Sequence, residues 1–391
     1  MRVLHVIPSL AREFGGPVEA LISYVAASDL CDTTTAVVAP WSSEADIGGV
    51  RESLPATTQV HLVGRRRTSG WVLARAVGAV VRELAADADV IHVHGLLNTV
   101  SAAAARAALS SAVPLVIAPL GTLSAYTFAH RRLRLKRVYH RLVDAPHLRS
   151  AAALHFATAR ELDEAEALGV DAGAPAHVVP PAVRHVPAEL RGHSPGADRM
   201  NVLFLSRLDP KKGLDVLLDA WPSIRARRPG VRLAIAGSGR PSYETAVRAR
   251  AARLGADVTF LGFVSGAAKY RCLANASVAI LPSAHENFGI AVLDAIGAGL
   301  PVVVTPEIAL SNVIAEEGLG IVVERSATAI ADAIVRALED DMLCARAATF
   351  GPTVVERRFG LAAVAPALRA MYECAVGSRD ARIDAAVAGR P

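Results

Sequence analysis

Two acidic residues, Glu286 and Asp294, stand eight positions apart across the turn Asn287-Phe288-Gly289, which lies between the apolar runs Val278–Leu281 and 300–304. Short apolar runs bounded by polar turns suit strands buried on both faces of a parallel sheet. The turn therefore closes one strand and opens a helix over 290–298, and the first amides of that helix form a site for an anion. Glu286 just before the helix and Asp294 about two turns inside it can face one cleft. A second charged set, Arg207 and Lys212 with four residues between them, follows the apolar run 202–206. The carboxyl ends of strands are where open α/β sheets bind ligands. There, a guanidinium with paired donors and an ammonium with a point charge can neutralise an anionic ligand group without a metal.

The rest of the chain alternates strand-like and helical segments. Strand-like runs at 3–7, 35–39, 59–63, 90–94, 114–119 and 152–158 are separated by segments such as 18–27 and 71–86. The pattern restarts at 202–206 and continues through 232–236, 258–262, 278–281, 301–304 and 321–323, which marks an α/β protein with parallel sheets. Leu214, Leu217, Leu218, Trp221 and Ile224 follow i, i+3, i+4, i+7 spacing and predict a helix over 214–227 with one buried face. The polar stretch GHSPGAD at 192–198 divides the chain into domains 1–192 and 199–356. Two domains suit a length of 391 residues.

The sequence from Glu286, through seven residues and an acid, to Gly297-Ala298-Gly299-Leu300-Pro301 resembles the E-x7-E element of retaining glycosyltransferases of family 4. HENFGIAVLDAIGAGLPVVVT at 285–305 is similar to the ENFG version of that element in bacterial exopolysaccharide enzymes, and Arg207 and Lys212 match the family's R-x4-K element. The resemblance implies a GT-B fold: two facing, Rossmann-like, doubly wound domains with a cleft between them, and a C-terminal tail from about 357 to 391 that packs back on the first. It also implies a nucleotide-sugar donor in the second domain and a glycan, lipid-linked or small-molecule acceptor in the first. Neither a metal nor another cofactor is expected, and the reaction is a front-face displacement in which the leaving phosphate takes the acceptor proton. Arg207 and Lys212 would then stabilise the leaving group and Glu286 would hold donor-sugar hydroxyls. The turn Asn287-Phe288-Gly289 would meet phosphate through its amides. Gly15, Gly16 and Gly237 would admit close backbone approach, and Phe263 and Val264 would read the base. Asp294 would hold the ribose, although it is one methylene shorter than the family's Glu and stops about 1.5 Å short. It either contacts the ribose directly or leaves a gap for water.

Other features carry less. Asp87-Ala88-Asp89 has the DxD form of a metal site but precedes the strand at 90–94, at the amino edge away from ligands, and reads as a turn. His92 and His94 share one strand face, and His94 is a candidate for contact with the acceptor. His130 is another, from its resemblance to a basic helix in ENFG-type relatives. Thr158 and Glu161 have capping-box spacing and read as structural. The stretch 130–149 holds six Arg, one Lys and one acid among Leu and Val residues. It reads as a surface helix with a solvated basic face, with contact to an anionic membrane as the alternative. A net charge of +5 does not point to nucleic acid. Four scattered cysteines suggest a reducing, cytoplasmic setting, and no run is long enough to span a bilayer, so the protein is expected to be soluble or peripheral at the inner face of the membrane. The rivals to transfer are a nucleotide-sugar epimerase on the same scaffold and a catalytically silent partner subunit.

Overall fold

The computed structural model describes all residues except 12–13, 66–67, 130–132, 171–172, 184–185, 188–190, 192–199 and 389–391. It divides into two compact units, Met1–Ala182 with Leu361–Pro391, and Val183–Gly360.

The first unit is built on seven parallel strands: β1 Arg2–Val6, β2 Thr34–Pro40, β3 Gln59–Val63, β4 Val90–His94, β5 Leu115–Ala118, β6 Ala153–Phe156 and β7 Ala176–Val178. Their order is β3-β2-β1-β4-β5-β6-β7, so the sheet changes direction between β1 and β4. Strand β4, VIHVH, is buried along its whole length. Its period of two sends Ile91 and Val93 into an apolar core with Leu4, Val6 and Ile117, and leaves His92 and His94 for the other face. The C-terminal helix Leu361–Ala388 packs on β4, β5 and β6 and on the helix Gly16–Asp29.

The second unit has six parallel strands: β8 Asn201–Leu205, β9 Arg232–Ala236, β10 Val258–Gly262, β11 Val278–Leu281, β12 Val302–Val304 and β13 Gly320–Val322. They are ordered β10-β9-β8-β11-β12-β13, with the change of direction between β8 and β11. The charged residues singled out by sequence follow these two strands, at the place where doubly wound sheets open toward a ligand. The helix Leu214–Arg227 buries Leu214, Leu217, Leu218, Trp221 and Ile224, as their spacing requires. Trp221 Nε1–H also donates to Asp257 Oδ2 at 2.6 Å.

The chain passes between units at 182–183 and again at 360–361. The boundary drawn from composition, at 192–199, lies outside the described residues. A backbone bond from Val183 N–H to Phe359 O at 2.7 Å and a parallel bridge from Val183 to Gly360 tie residue 183 to the second unit. Pairing between residues so far apart leaves no trace in composition. The four cysteines are free. Among the described residues no helix is long and apolar enough to cross a membrane.

Candidate active site

The loop that leaves β8 carries Arg207, Lys211 and Lys212, and it is held both by its neighbours and by its own residues. Leu208 N–H donates to Ser238 O at 2.8 Å, and Ala284 N–H donates to Lys211 O at 2.8 Å, which fixes the loop to those after β9 and β11. Asp209 caps the 3-10 turn Pro210–Lys212, its Oδ1 accepting from Lys211 N–H at 3.0 Å. Two glycines make this packing feasible. A Cβ on Gly213 would lie 2.0 Å from Pro282 O, and one on Gly237 would lie 1.8 Å from Ser206 O. Both also have positive φ, 75° and 145°. Gly237 N–H donates to Gly262 O at 2.7 Å. The absent side chain of Gly237 thus accommodates the protein's own backbone, a need that the ligand-approach reading did not include.

Glu286 meets this loop from the other side. Its backbone N–H donates to Glu307 O at 3.0 Å, and its carbonyl accepts from Ala309 N–H at 3.1 Å. Its Oε2 accepts from the Lys212 ammonium, and only 12% and 16% of the two side chains is exposed. Burial would raise the Glu286 carboxyl, but the Lys212 ammonium and its hydrogen bond, with Lys211 and Arg207, hold it below the ordinary carboxylate range. The Lys211 ammonium is lowered first by burial; Glu286 opposes the shift, and Lys212 and Arg207 add to it. The structure therefore gathers Arg207, Lys211, Lys212 and an ionised Glu286 at one sheet edge. Lys211 was missed in the sequence, where the four-residue spacing passed over it.

Gly289, at φ 100°, starts the helix Ile290–Gly297. Phe288 is buried edge-to-face against Phe359, with ring centroids 5.7 Å apart, so its side chain belongs to the core and only its backbone is available to a ligand. Asn287 is half-buried beside it. Asp294 is buried, and its Oδ2 accepts from Lys269 Nζ at 2.8 Å. Of the occupants weighed for the space around Asp294, ribose or water, neither is an ammonium. Lys269 lies on the helix Gly266–Ala274, just after Phe263 and Val264. Phe263 is 47% exposed, while Val264 packs on the core of its unit.

The first unit holds the remaining candidates. Gly15, at φ 73°, caps the helix Gly16–Asp29, and a side chain on Gly16 would meet nothing within 4 Å. His94, the candidate for contact with the acceptor, is completely buried. Its Nε2 lies 3.0 Å from His5 Nδ1. Next to this pair, His92 Nδ1 is 2.9 Å from Tyr372 Oη and His92 Nε2 is 3.2 Å from His155 Nδ1. His155 Nε2 reaches Val179 O at 2.8 Å. The period of two placed His92 and His94 together, but the sheet order brings in His5 and His155, and the C-terminal helix adds Tyr372. His5, His92 and His94 are the one group among the described residues whose ring nitrogens lie close enough to share a metal ion, and His92 has both of its nitrogens engaged. His130 lies outside the described residues. Asp89 Oδ2 accepts from Arg2 N–H at 2.8 Å and Asp87 pairs with the Arg2 guanidinium at 3.3 Å, so the DxD pins the start of β1. Thr158 Oγ1 accepts from Glu161 N–H at 3.1 Å, and Glu161 accepts from Ala157 N–H at 2.8 Å and Gly121 N–H at 2.5 Å, the structural role expected of the pair.

Comparison with known proteins gives this geometry a context. Residues 189–353 match the family model of glycosyl transferases group 1, and residues 12–182 match that of a glycosyl transferase 4-like domain. A phosphatidyl-myo-inositol mannosyltransferase of Mycobacterium tuberculosis is 37% identical over 184 residues, 45% of this chain and 48% of the relative. An alpha-D-kanosaminyltransferase of Streptomyces kanamyceticus is 30% identical over 188 residues, 47% of this chain and 48% of the relative. The chain thus spans about half the length of these relatives. The crystal structure of Anabaena HepE in complex with UDP-glucose aligns with a TM-score of 0.76 over 95% of this chain and 99% of HepE. Its 20% identity makes that a likeness of fold.

Proposed function

We propose that this chain, which belongs to the family 4 type of GT-B glycosyltransferases, moves a sugar from a nucleotide-sugar donor to an acceptor hydroxyl and retains the configuration of the anomeric carbon. The observation that carries the proposal is the largely buried Lys212–Glu286 pair beside Arg207 and Lys211 at the carboxyl edge of β8 and β11. A nucleotide sugar presents a diphosphate and, next to it, a ring of hydroxyls. Three cations suit the first, and an ionised carboxylate, which only accepts hydrogen bonds, suits the second.

As the bond from the anomeric carbon to the phosphate oxygen breaks, negative charge grows on the departing diphosphate. Arg207 and Lys212 stabilise it there without reorganising, and the amides of the Phe288-Gly289 turn add donors at the helix start. The acceptor oxygen joins the anomeric carbon on the face the phosphate leaves. Its proton passes to the phosphate oxygen, so atoms and charge balance with no protein nucleophile. Because the cations supply the neutralising charge, the reaction runs without a metal.

The acceptor is a glycan or a lipid-linked hydroxyl. In the first unit, Leu135, Val138 and Leu142 are 60%, 52% and 70% exposed, and Arg134, Arg137 and Arg141 are exposed among them at helical spacing. An apolar stripe edged with guanidinium groups suits an anionic lipid surface, and the relative named for mannosylating phosphatidyl-myo-inositol supports a lipid acceptor. The test is incubation with UDP- and GDP-sugars and lipid or glycan acceptors, with the product anomer read by NMR. A product with the donor's configuration supports transfer with retention. An inverted product refutes retention. Nucleotide release with nothing added to the acceptor indicates an epimerase, and no binding of any nucleotide sugar indicates a silent subunit.

A further inference from the structure

We infer that Lys269 is a positioning residue for nucleotide recognition, which holds the Asp294 carboxylate in the orientation that accepts the vicinal hydroxyls of a ribose. The inference rests on the donor-binding reading above and adds a residue that neither the motif nor the comparisons assign.

The geometry is specific. Lys269 Nζ lies 2.8 Å from Asp294 Oδ2, with 19% and 7% of the two side chains exposed. They come from different helices, Gly266–Ala274 and Ile290–Gly297. The ammonium also lies 5.2 Å from the centroid of the Tyr270 ring. A carboxylate this buried requires a partner of opposite charge, and here that partner is fixed. An aspartate has only two side-chain torsions, so an ammonium on Oδ2 sets the plane in which both oxygens offer their remaining lone pairs. A ribose presents two adjacent hydroxyl donors, and both are satisfied only by a carboxylate held in one plane.

The same contact accounts for the shorter acid at this position. Extending the side chain by one methylene would move the carboxylate by about 1.5 Å, more than a 2.8 Å ion pair can absorb. Asp294→Glu would therefore displace Lys269. A gap filled by water predicts tighter binding for that variant, and the ion pair predicts weaker binding.

Calorimetric titration with a ribonucleoside diphosphate and with its 2′-deoxy counterpart separates positioning from simple packing. The base is the one the wild-type protein binds best. Wild type should favour the ribonucleotide by about tenfold, the scale of one hydrogen bond to a charged group. Lys269→Met, which keeps the stem and removes the charge, should weaken the ribonucleotide about tenfold and leave the deoxynucleotide nearly unchanged, which erases the preference. Lys269→Arg should restore part of it. If Lys269→Met fails to fold, Lys269→Gln, which leaves Asp294 intact and offers it a neutral donor on a shorter stem, should lower the preference for the ribonucleotide without weakening the deoxynucleotide. A preference that survives in Lys269→Met, or a loss equal for both ligands, overturns the positioning role. A wild-type protein that binds both nucleotides equally overturns the ribose role of Asp294 itself, and one that binds neither overturns the donor-binding reading.

Discussion

Lowering the pH from 7 to 5 should destabilise the first unit, because its interior contains four imidazoles that are neutral when folded. Burial pushes His5 down to about 3, with His155 adding to the shift. Burial also pushes His155 down to about 4, partly offset by its bond to the Val179 carbonyl. His92 and His94 are lowered in the same direction, first by burial and then by the neighbouring rings. In the unfolded chain each takes up a proton near pH 6.5. Between that value and the folded one, the unfolded state binds more protons, so stability rises with pH and is lost as pH falls. The slope is about 1.4 kcal/mol per pH unit for each imidazole, or about 2 kcal/mol apiece by pH 5. For His5 and His155 together that is about 4 kcal/mol, a large part of the 5–15 kcal/mol that typically holds a domain. The assay is hydrogen exchange read by mass spectrometry at pH 7 and 5, corrected for the intrinsic exchange rate. Peptides from β1, β4 and β6 should lose protection. Peptides from β8, β9 and β11 are the internal reference, since His285 is the second unit's one described histidine. His155→Gln should flatten the pH dependence by one imidazole's share. Equal protection of the first unit at both pH values would refute the reasoning.

Three further outcomes are expected. Gly237→Ala should destabilise the second unit by roughly 3 kcal/mol or more, seen as a lower urea midpoint, because its Cβ would lie 1.8 Å from Ser206 O at a φ that side chains avoid. Lys212→Met removes the partner that keeps Glu286 ionised, so the Glu286 carboxyl should rise. The acid limb of kcat/KM against pH should then move to higher pH, and an unmoved limb would separate Glu286 from the chemistry. Activity should persist in EDTA, because Arg207 and Lys212 supply the charge at the leaving group. Loss on chelation with recovery on adding manganese would overturn that assignment.

The sequence makes legible what depends on local spacing. The apolar stripe of Leu214–Arg227 became a buried face, and the two elements Arg207 to Lys212 and Glu286 to Asp294 fell at the ends of β8 and β11 because strand-end loops are where such polar groups can lie. What was not legible depends on crossovers. β1 pairs with β4 and not with β3, so His5 meets His92 across 87 residues, and Tyr372 arrives from the other end of the chain. Lys269 escaped for a similar reason: its pairing with Asp294 is a contact between helices, and the one-methylene shortfall of the aspartate hints at a compensating group without naming it. Phe288 was read for its backbone amide alone, and the burial of its ring against Phe359 leaves that reading open while adding a core contact that the motif did not indicate.

The most direct measurement is a calorimetric titration of UDP and GDP into the wild-type protein and Arg207→Ala. One nucleoside diphosphate should bind per chain, and Arg207→Ala should bind it at least about tenfold more weakly, the 1.4 kcal/mol or more expected from a charge-assisted bond to phosphate. No binding by wild type, or equal affinity in Arg207→Ala with the fold intact, would contradict a diphosphate held at the carboxyl edge of β8 and β11.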